Sequence, residues 1–211
     1  MRAASIVILA IIIASFAIGI WLYPGMPGRI ASHWNAAGEV DGYMPKFWGL
    51  FLMPLISAGL ALLFVAVPRI DPLKKNIDKF RAYYDGFIVA VVVFFLYIYL
   101  LTILWSLGYL FNMIQMLAPA MGGLFYCAGV LTGKAKRNWF IGIRTPWTLS
   151  SDRVWDRTHR LGAKLFKAAG VIAVFGAAFR DYAIWLVIVP AIAAAVYTIA
   201  YSYFEYQKVA G

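Results

Sequence analysis

The side chains of this chain that are best suited to chemistry lie in one segment, Asn138–Gly162, which reads NWFIGIRTPWTLSSDRVWDRTHRLG. Guanidinium groups bind phosphates and carboxylates through paired charge-assisted hydrogen bonds, and Arg144 and Arg160 supply two of them. An imidazole changes its charge near neutral pH, so His159 could act as a general acid or base. If a turn holds Arg144 near His159, the segment forms a polar site for a phosphate, a carboxylate or an acidic protein surface.

Lipid anchoring is the simpler interpretation of the same segment. Its cations would face phospholipid headgroups, while Trp147 and Trp155 would lie at the membrane interface. Anchoring is served by Lys and Arg in any order, however, and does not ask for an Asn, a Thr-Pro-Trp-Thr turn and a His together. The residues alone leave both interpretations open.

The order of residues also predicts how this segment folds. Pro146 biases Thr145 away from helical geometry, so this stretch is expected to be extended or turning. A short helix then begins, because Ser150, Ser151 or Asp152 can cap it and one stripe of the helix carries Val154, Thr158, Leu161 and Leu165. We expect this helix to lie at the membrane interface, with Asp156 paired to Arg160 across one turn.

A second polar segment, Tyr23–Tyr43, lies near the start of the chain. Its candidate ligand-facing residues are His33, Trp34, Asn35 and Asp41. Their spacing matches no metal signature, so we expect no bound metal and no other cofactor. In the alternative interpretation, the aromatic residues anchor in the headgroup layer while His33 and Asn35 bond to the loop backbone. A tight turn is expected at Asp41-Gly42.

The composition of the chain indicates an integral membrane protein. Hydrophobic residues make up 64% and charged residues 13%, with a mean hydropathy of +0.79, whereas soluble domains carry about 25% charged residues. About 20 helical residues cross the hydrocarbon core. Six continuous apolar runs predict an all-α bundle of six transmembrane helices: Ala3–Leu22, Phe47–Val67, Phe87–Leu107, Met116–Thr132, Leu165–Phe179 and Tyr182–Phe204. The short interfacial helix precedes the fifth span.

Basic residues predict the orientation of this bundle. All but three of the 19 lysines and arginines fall on one side of the predicted spans, the exceptions being Arg29, Lys46 and Arg180. The positive-inside rule then places both termini in the cytoplasm. His33 and His159 would lie on opposite sides of the membrane and could not share an active site. The net charge of +10 is expected to face anionic phospholipid at the inner leaflet rather than nucleic acid.

We expect one polytopic membrane domain over residues 1–211. Its parts are 1–67 with an outer loop at 23–46, then 68–132, a cytoplasmic loop at 133–164, and 165–211. Ionisable groups are absent from the middle of the predicted spans, which disfavours an ion-coupled transporter. The familiar motifs of intramembrane hydrolases are also absent.

Both polar segments resemble those of the SdpI family, which comprises immunity proteins against the sporulation-delaying toxin and their relatives. The outer loop resembles the N-terminal domain of unknown function of that family in Tyr23-Pro24, Met26-Pro27, His33-Trp34-Asn35, Gly38 and Asp41-Gly42. The inner loop resembles the family signature in Asn138, Gly142, Arg144-Thr145-Pro146-Trp147-Thr148, Trp155, Thr158-His159-Arg160 and Gly162. We call Asn138–Gly162 the signature segment.

The resemblance implies a multi-pass cell-membrane protein, not an enzyme, that protects its cell against a secreted, membrane-active peptide toxin. It also implies a possible cytoplasmic transcriptional repressor that the protein holds at the membrane. Two alternatives remain. One is an inner-leaflet lipid-headgroup enzyme in which Arg144 and Arg160 grip a phosphate and His159 moves a proton. The other is a membrane scaffold with neither ligand nor reaction.

Overall fold

The computed structural model describes residues 3–210, which form a bundle of helices with one small β-hairpin. The long helices are α1 (Ala3–Leu22), α2 (Lys46–Ile70), α4 (Arg81–Ser106), α5 (Met113–Lys134), α7 (Asp152–Val174) and α8 (Ala183–Ala210). Two short helices, α3 (Lys74–Asp78) and α6 (Pro146–Ser150), lie in the connections. Three 3₁₀ turns occupy Tyr23–Gly25, Phe175–Ala177 and Arg180–Tyr182.

The length and apolarity of the helices confirm the prediction of an all-α, multi-pass membrane protein. Within residues 3–210, five helical segments are long and apolar enough to cross a bilayer: Ala3–Gly25, Lys46–Ile70, Arg81–Ser106, Met113–Lys134 and Arg180–Val209. The shortest has 22 residues, which corresponds to about 33 Å of helix against a hydrocarbon core of about 30 Å.

The predicted fifth span, Leu165–Phe179, is not among these five segments. The predicted interfacial helix and Leu165–Phe179 are not separate, because α7 runs unbroken from Asp152 to Val174 and continues into a 3₁₀ turn. No proline interrupts α7, and the Ser151 side chain caps its start by accepting from Val154 N. The first half of α7 is polar, so its role as a sixth span stays a prediction.

Small residues bring α7 against α5. A Cβ added at Gly170 would lie 2.5 Å from the Gly122 carbonyl oxygen, and one at Gly129 would lie 2.9 Å from the Ala163 carbonyl oxygen. Such close backbone approach is the usual way in which membrane helices pack without large side chains. This packing places the polar start of α7 beside the end of α5.

The outer loop contains an antiparallel hairpin of β1 (Arg29–Trp34) and β2 (Val40–Pro45). The predicted tight turn at Asp41-Gly42 is wrong, because both residues lie within β2 and the chain reverses at residues 35–39. The reason is Asn35, whose side-chain oxygen accepts from Ala37 N and Glu39 N, both at 3.0 Å. Gly38 completes the turn with a φ of +79°.

The hairpin and the signature segment lie at opposite ends of the bundle. Asn112 Nδ2 donates to the Ala37 carbonyl at 2.6 Å, while the Asn112 side-chain oxygen accepts from Gln115 N and caps α5. At the other end of α5, the Ala135 carbonyl accepts from Trp155 Nε1 at 2.9 Å. We call these the hairpin end and the signature end. About 33 Å of helix separates them. Which end faces the cytoplasm stays a prediction.

Candidate functional site

Asn138 organises the loop that opens the signature segment. Its Nδ2 donates to the carbonyls of Lys136 and Ile141 at 2.8 and 2.9 Å. Its Oδ1 accepts from Phe140 N and Ile141 N at 2.9 and 2.6 Å. The side chain is fully buried, and both amide hydrogens and the amide oxygen are used. Asn138 therefore holds the loop and leaves no group for a ligand.

Asp71, which belongs to neither polar segment, ties this loop to the turn after α2. Its carboxylate accepts from Leu73 N at 2.6 Å and from Trp139 N at 2.9 Å, and the residue is buried. Beside it, Asn76 Nδ2 donates to the Arg137 carbonyl at 2.8 Å. In the sequence, the only signal is a lone acid between an apolar helix and Pro72.

His159 is held by backbone groups on both ring nitrogens. Nε2 accepts from Ile143 N at 3.0 Å, and Nδ1 lies 2.8 Å from the Trp155 carbonyl oxygen. Because a carbonyl can only accept, Nδ1 carries the proton and Nε2 does not. The residue is 2% exposed, and burial lowers the pKa of His159 from 6.5 to about 4. The imidazole is therefore neutral at physiological pH, with no nitrogen free for proton transfer.

Trp155 and Gly142 complete the surroundings of this imidazole. The Trp155 indole stacks on the His159 ring with 3.9 Å between ring centroids, while its Nε1 bonds to the end of α5. Gly142 has a φ of +112°, and a Cβ there would overlap His159 Nε2. The signature positions Gly142, Trp155 and His159 thus form one packed unit.

The Thr-Pro-Trp-Thr stretch attaches the signature segment to α8. Thr145 is extended as predicted, with φ −106° and ψ 161°, and it forms a capping box with Thr148 around the short helix α6. Pro146 occupies the first turn of α6, where its missing N–H costs no hydrogen bond. Thr145 Oγ1 lies 3.0 Å from Ser202 Oγ of α8. The Trp147 ring packs edge-on against Tyr203 with 5.1 Å between centroids.

The predicted polar site between Arg144 and His159 is not formed. Arg144 is exposed, and its Nη1 donates to the Trp139 carbonyl at 2.6 Å, whereas His159 is buried. The predicted pair between Asp156 and Arg160 is also wrong, because Asp156 Oδ1 lies 3.5 Å from Lys136 Nζ. Arg160 is left exposed on α7. Both ring nitrogens of His159 are thus engaged, whereas the lipid-headgroup enzyme would need one of them free to move a proton.

Thr158 is the signature residue whose contacts are least complete. It is fully buried, and its Oγ1 has no hydrogen-bond partner within residues 3–210. An unsatisfied buried hydroxyl costs about 1–3 kcal/mol. We have no structural explanation for a threonine at this position.

At the hairpin end, the four predicted ligand-facing residues divide between surface and packing. His33 Nδ1 lies 2.5 Å from Asp41 Oδ1, and their side chains are 71% and 45% exposed. Asn35 forms the turn described above. The Trp34 ring packs edge-on against Trp105 with 6.2 Å between centroids, and its Nε1 is buried with no partner among the described residues.

An apolar cavity lies beneath this hairpin, and sequence reasoning did not find it. Its volume is about 230 Å³, and its wall combines β1 and β2 with α2, α4 and α5. The lining residues include Trp34, Met44, Leu52, Met53, Ile98 and Leu117. Methionine side chains adapt easily to irregular apolar ligands. Because the cavity is lined by segments that are distant along the chain, no local sequence pattern predicts it.

These features define a helical multi-pass membrane protein whose polar segments organise the two ends of a bundle. Residues 134–202 match the SdpI/YfhL protein family, and residues 10–58 match a domain of unknown function, DUF1648. The resemblance of the outer loop and the signature segment to the SdpI family is thereby confirmed, and the two matches follow each other in the expected order.

Similarity to a known protein extends along the whole chain. The chain is 28% identical over 208 residues to the Immunity protein SdpI of Bacillus subtilis (strain 168), which covers 98% of each protein. No solved structure matches the chain. The comparisons thus support an SdpI-like immunity function in a cell-membrane protein.

Proposed function

We propose that the protein protects its cell by binding a secreted, membrane-active peptide toxin at the hairpin end. The apolar cavity beneath the hairpin is the observation that carries this proposal. A membrane-active peptide is amphipathic and so carries apolar side chains. The cavity offers one of these side chains an enclosed apolar site, which the open helix surfaces facing the lipid do not. The cavity of about 230 Å³ accommodates one large apolar side chain, while the exposed His33–Asp41 pair lies at the same end.

Orientation supports this proposal. The cations concentrated at the signature end favour a cytoplasmic position for that end by the positive-inside rule. The hairpin end then faces the outside, where a secreted peptide arrives. The likeness to an immunity protein over nearly the full chain supports the protective function itself.

The signature end is proposed to recruit a cytoplasmic transcriptional repressor. Arg144 is exposed there, and its guanidinium can bind an acidic protein surface. Signalling requires that toxin favour one of two conformations through differential affinity. The hydrogen bonds of the signature segment to α5 and α8 are the contacts that such a change would alter.

The proposal is tested by filling the cavity. The chain is expressed in a host sensitive to the sporulation-delaying toxin, either unchanged or carrying Leu52→Phe, which places a larger side chain in the cavity wall. The matched control is Leu62→Phe on the same helix, where the side chain is 73% exposed. We expect survival with the unchanged chain and the control, and at least a tenfold loss of protection with Leu52→Phe.

Membrane insertion of each variant is confirmed by immunoblotting of the membrane fraction. Unchanged killing despite confirmed insertion of the wild-type chain would falsify immunity. Equal protection by Leu52→Phe and Leu62→Phe would remove the cavity from the proposal. For the signalling half, Arg144→Ala should abolish repressor recruitment and leave toxin binding intact, and equal loss of both would contradict the assigned division.

A further inference from the structure

A cationic cleft lies between α7 and α8, near the signature end. It has a volume of about 260 Å³ and is lined by Arg157, Arg160, Leu161, Lys164 and Tyr201. The three cations occupy positions i, i+3 and i+7 of α7, so they share one face of that helix. Tyr201 supplies the α8 side of the cleft.

One of these cations is anchored by a buried carboxylate. Arg157 Nη1 lies 2.6 Å from Glu205 Oε2, and the Glu205 side chain is 3% exposed. The other oxygen of Glu205 lies 2.7 Å from Lys208 Nζ. Glu205 therefore orients Arg157 at the edge of the cleft, and both of its oxygens are already engaged by cations.

The other two cations have no anionic partner in the described part of the chain. Throughout residues 3–210, neither Arg160 nor Lys164 forms an ion pair, and both are exposed. Asp156, the acid closest in sequence, is directed to Lys136. Like charges four residues apart on a helix repel each other. The cleft thus carries an uncompensated positive charge that a bound anion would neutralise.

The position of the cleft indicates which anion it meets. Lys164 immediately precedes Leu165, where the apolar half of α7 begins. On the other side, Tyr201 lies near the end of the candidate span Arg180–Val209, so the cleft lies close to the level where a bilayer changes from hydrocarbon to headgroups. Phospholipid phosphates occupy that layer, and planar guanidinium groups bind phosphate through two parallel hydrogen bonds.

We propose that the cleft binds the phosphate group of an anionic phospholipid through Arg157, Arg160 and Lys164. This is a defined site for a single phosphate, in contrast to diffuse attraction between a basic surface and a charged leaflet. Arg160 and Lys164 supply unpaired charge, and Glu205 fixes the approach of Arg157. The inference does not depend on toxin binding, which concerns the hairpin end.

The test uses the purified full-length protein in detergent. Phosphatidylglycerol, phosphatidylcholine and, separately, inorganic phosphate are titrated, and bound ligands are counted by native mass spectrometry. The cleft variant carries Arg160→Gln and Lys164→Gln. The control variant carries Arg153→Gln and Lys75→Gln, which remove two exposed cations and cause the same change in net charge. Circular dichroism and thermal unfolding confirm that both variants fold.

We expect one phosphatidylglycerol per protein, bound at least tenfold more weakly by the cleft variant and within twofold of wild type by the control. Phosphatidylcholine, whose choline offsets the phosphate charge, should bind at least tenfold more weakly than phosphatidylglycerol. Inorganic phosphate that competes with the same dependence on the cleft would support the phosphate site and assign it a soluble source. Equal weakening in both variants, no weakening in either, or equal binding of the two lipids would overturn the proposal.

Discussion

At the residue scale, the side chains most suggestive of catalysis serve the structure of the signature end. His159 is neutral and bonded on both nitrogens, Asn138 closes a loop, and Thr145 caps a helix. Each satisfies a buried polar group that would otherwise cost about 1–3 kcal/mol. Residue type and spacing identified these positions, but their role depends on burial, which a single sequence does not display.

The buried imidazole predicts a pH dependence of stability. Since folding lowers the pKa of His159 from 6.5 to about 4, the unfolded chain binds more protons between these values. Stability therefore falls as the pH drops from about 6.5 toward 4, by roughly 3 kcal/mol from this group. We expect His159→Gln, which cannot titrate, to lack this part of the decline. Thermal unfolding in detergent at pH 7 and pH 4.5 measures the difference, and identical declines would refute it.

Gly142 is predicted to resist substitution because its backbone and its neighbour both require glycine. Gly142→Ala should destabilise the protein by about 1–3 kcal/mol, since a side chain at this φ is strained and overlaps His159. Gly59→Ala on α2 is the control, because no atom lies within 4 Å of a Cβ there. It should be neutral or slightly stabilising. The melting temperatures of the two variants are compared, and equal values would contradict the requirement for glycine at position 142.

At the element scale, the helices follow from local apolar runs, whereas the hairpin and the breaks between helices do not. The first helix coincides with its predicted bounds because a continuous apolar run needs no distant partner. The hairpin turn lies at residues 35–39 rather than at Asp41-Gly42, because the Asn35 side chain bonds to the backbone of the turn. Asn112, 75 residues away along the chain, also donates to this turn. For the start of α7 the sequence predicts a short interfacial helix that leads into the fifth span, whereas the structure has one unbroken helix because no proline interrupts residues 152–174.

The close glycine contact between α5 and α7 predicts that a methyl group added inside the contact lowers stability, whereas one added outside it does not. Gly170→Ala places its Cβ against the Gly122 carbonyl, so the helices must separate, at an expected cost of about 1–3 kcal/mol. Gly123→Ala is the control on α5, where a Cβ meets no atom within 4 Å. Thermal unfolding in detergent compares them. A control that destabilises as much as Gly170→Ala would show that this contact is not the cause.

At the scale of the whole molecule, the polar residues divide between two ends about 33 Å apart. The sequence predicted this division from hydropathy and charge, and Asn112, Ala135 and Trp155 now give it a structural basis. The apolar cavity and the cationic cleft were not predictable, because each is lined by residues from elements that are distant in the sequence or on different helices.

The orientation of the bundle predicts opposite labelling of its two ends. In a Cys127→Ser background, which removes the single cysteine of the chain, Asp41→Cys should react with a membrane-impermeant maleimide added to intact cells. Arg153→Cys should react only after the cells are opened, because the signature end is predicted to be cytoplasmic. Modification of both positions from the same face would disprove the predicted sidedness.

Asn112 has a mechanical consequence for the whole bundle. One side chain both grips the tip of the hairpin and caps the first turn of α5. Moving the hairpin tip away would therefore break the Asn112 hydrogen bond at the start of α5. The other end of α5 is held by the hydrogen bond from the Trp155 indole. A peptide that displaces the hairpin tip would thus act on α5 through the Asn112 hydrogen bond, and α5 would carry the change to the Trp155 hydrogen bond and the stacked rings at its other end.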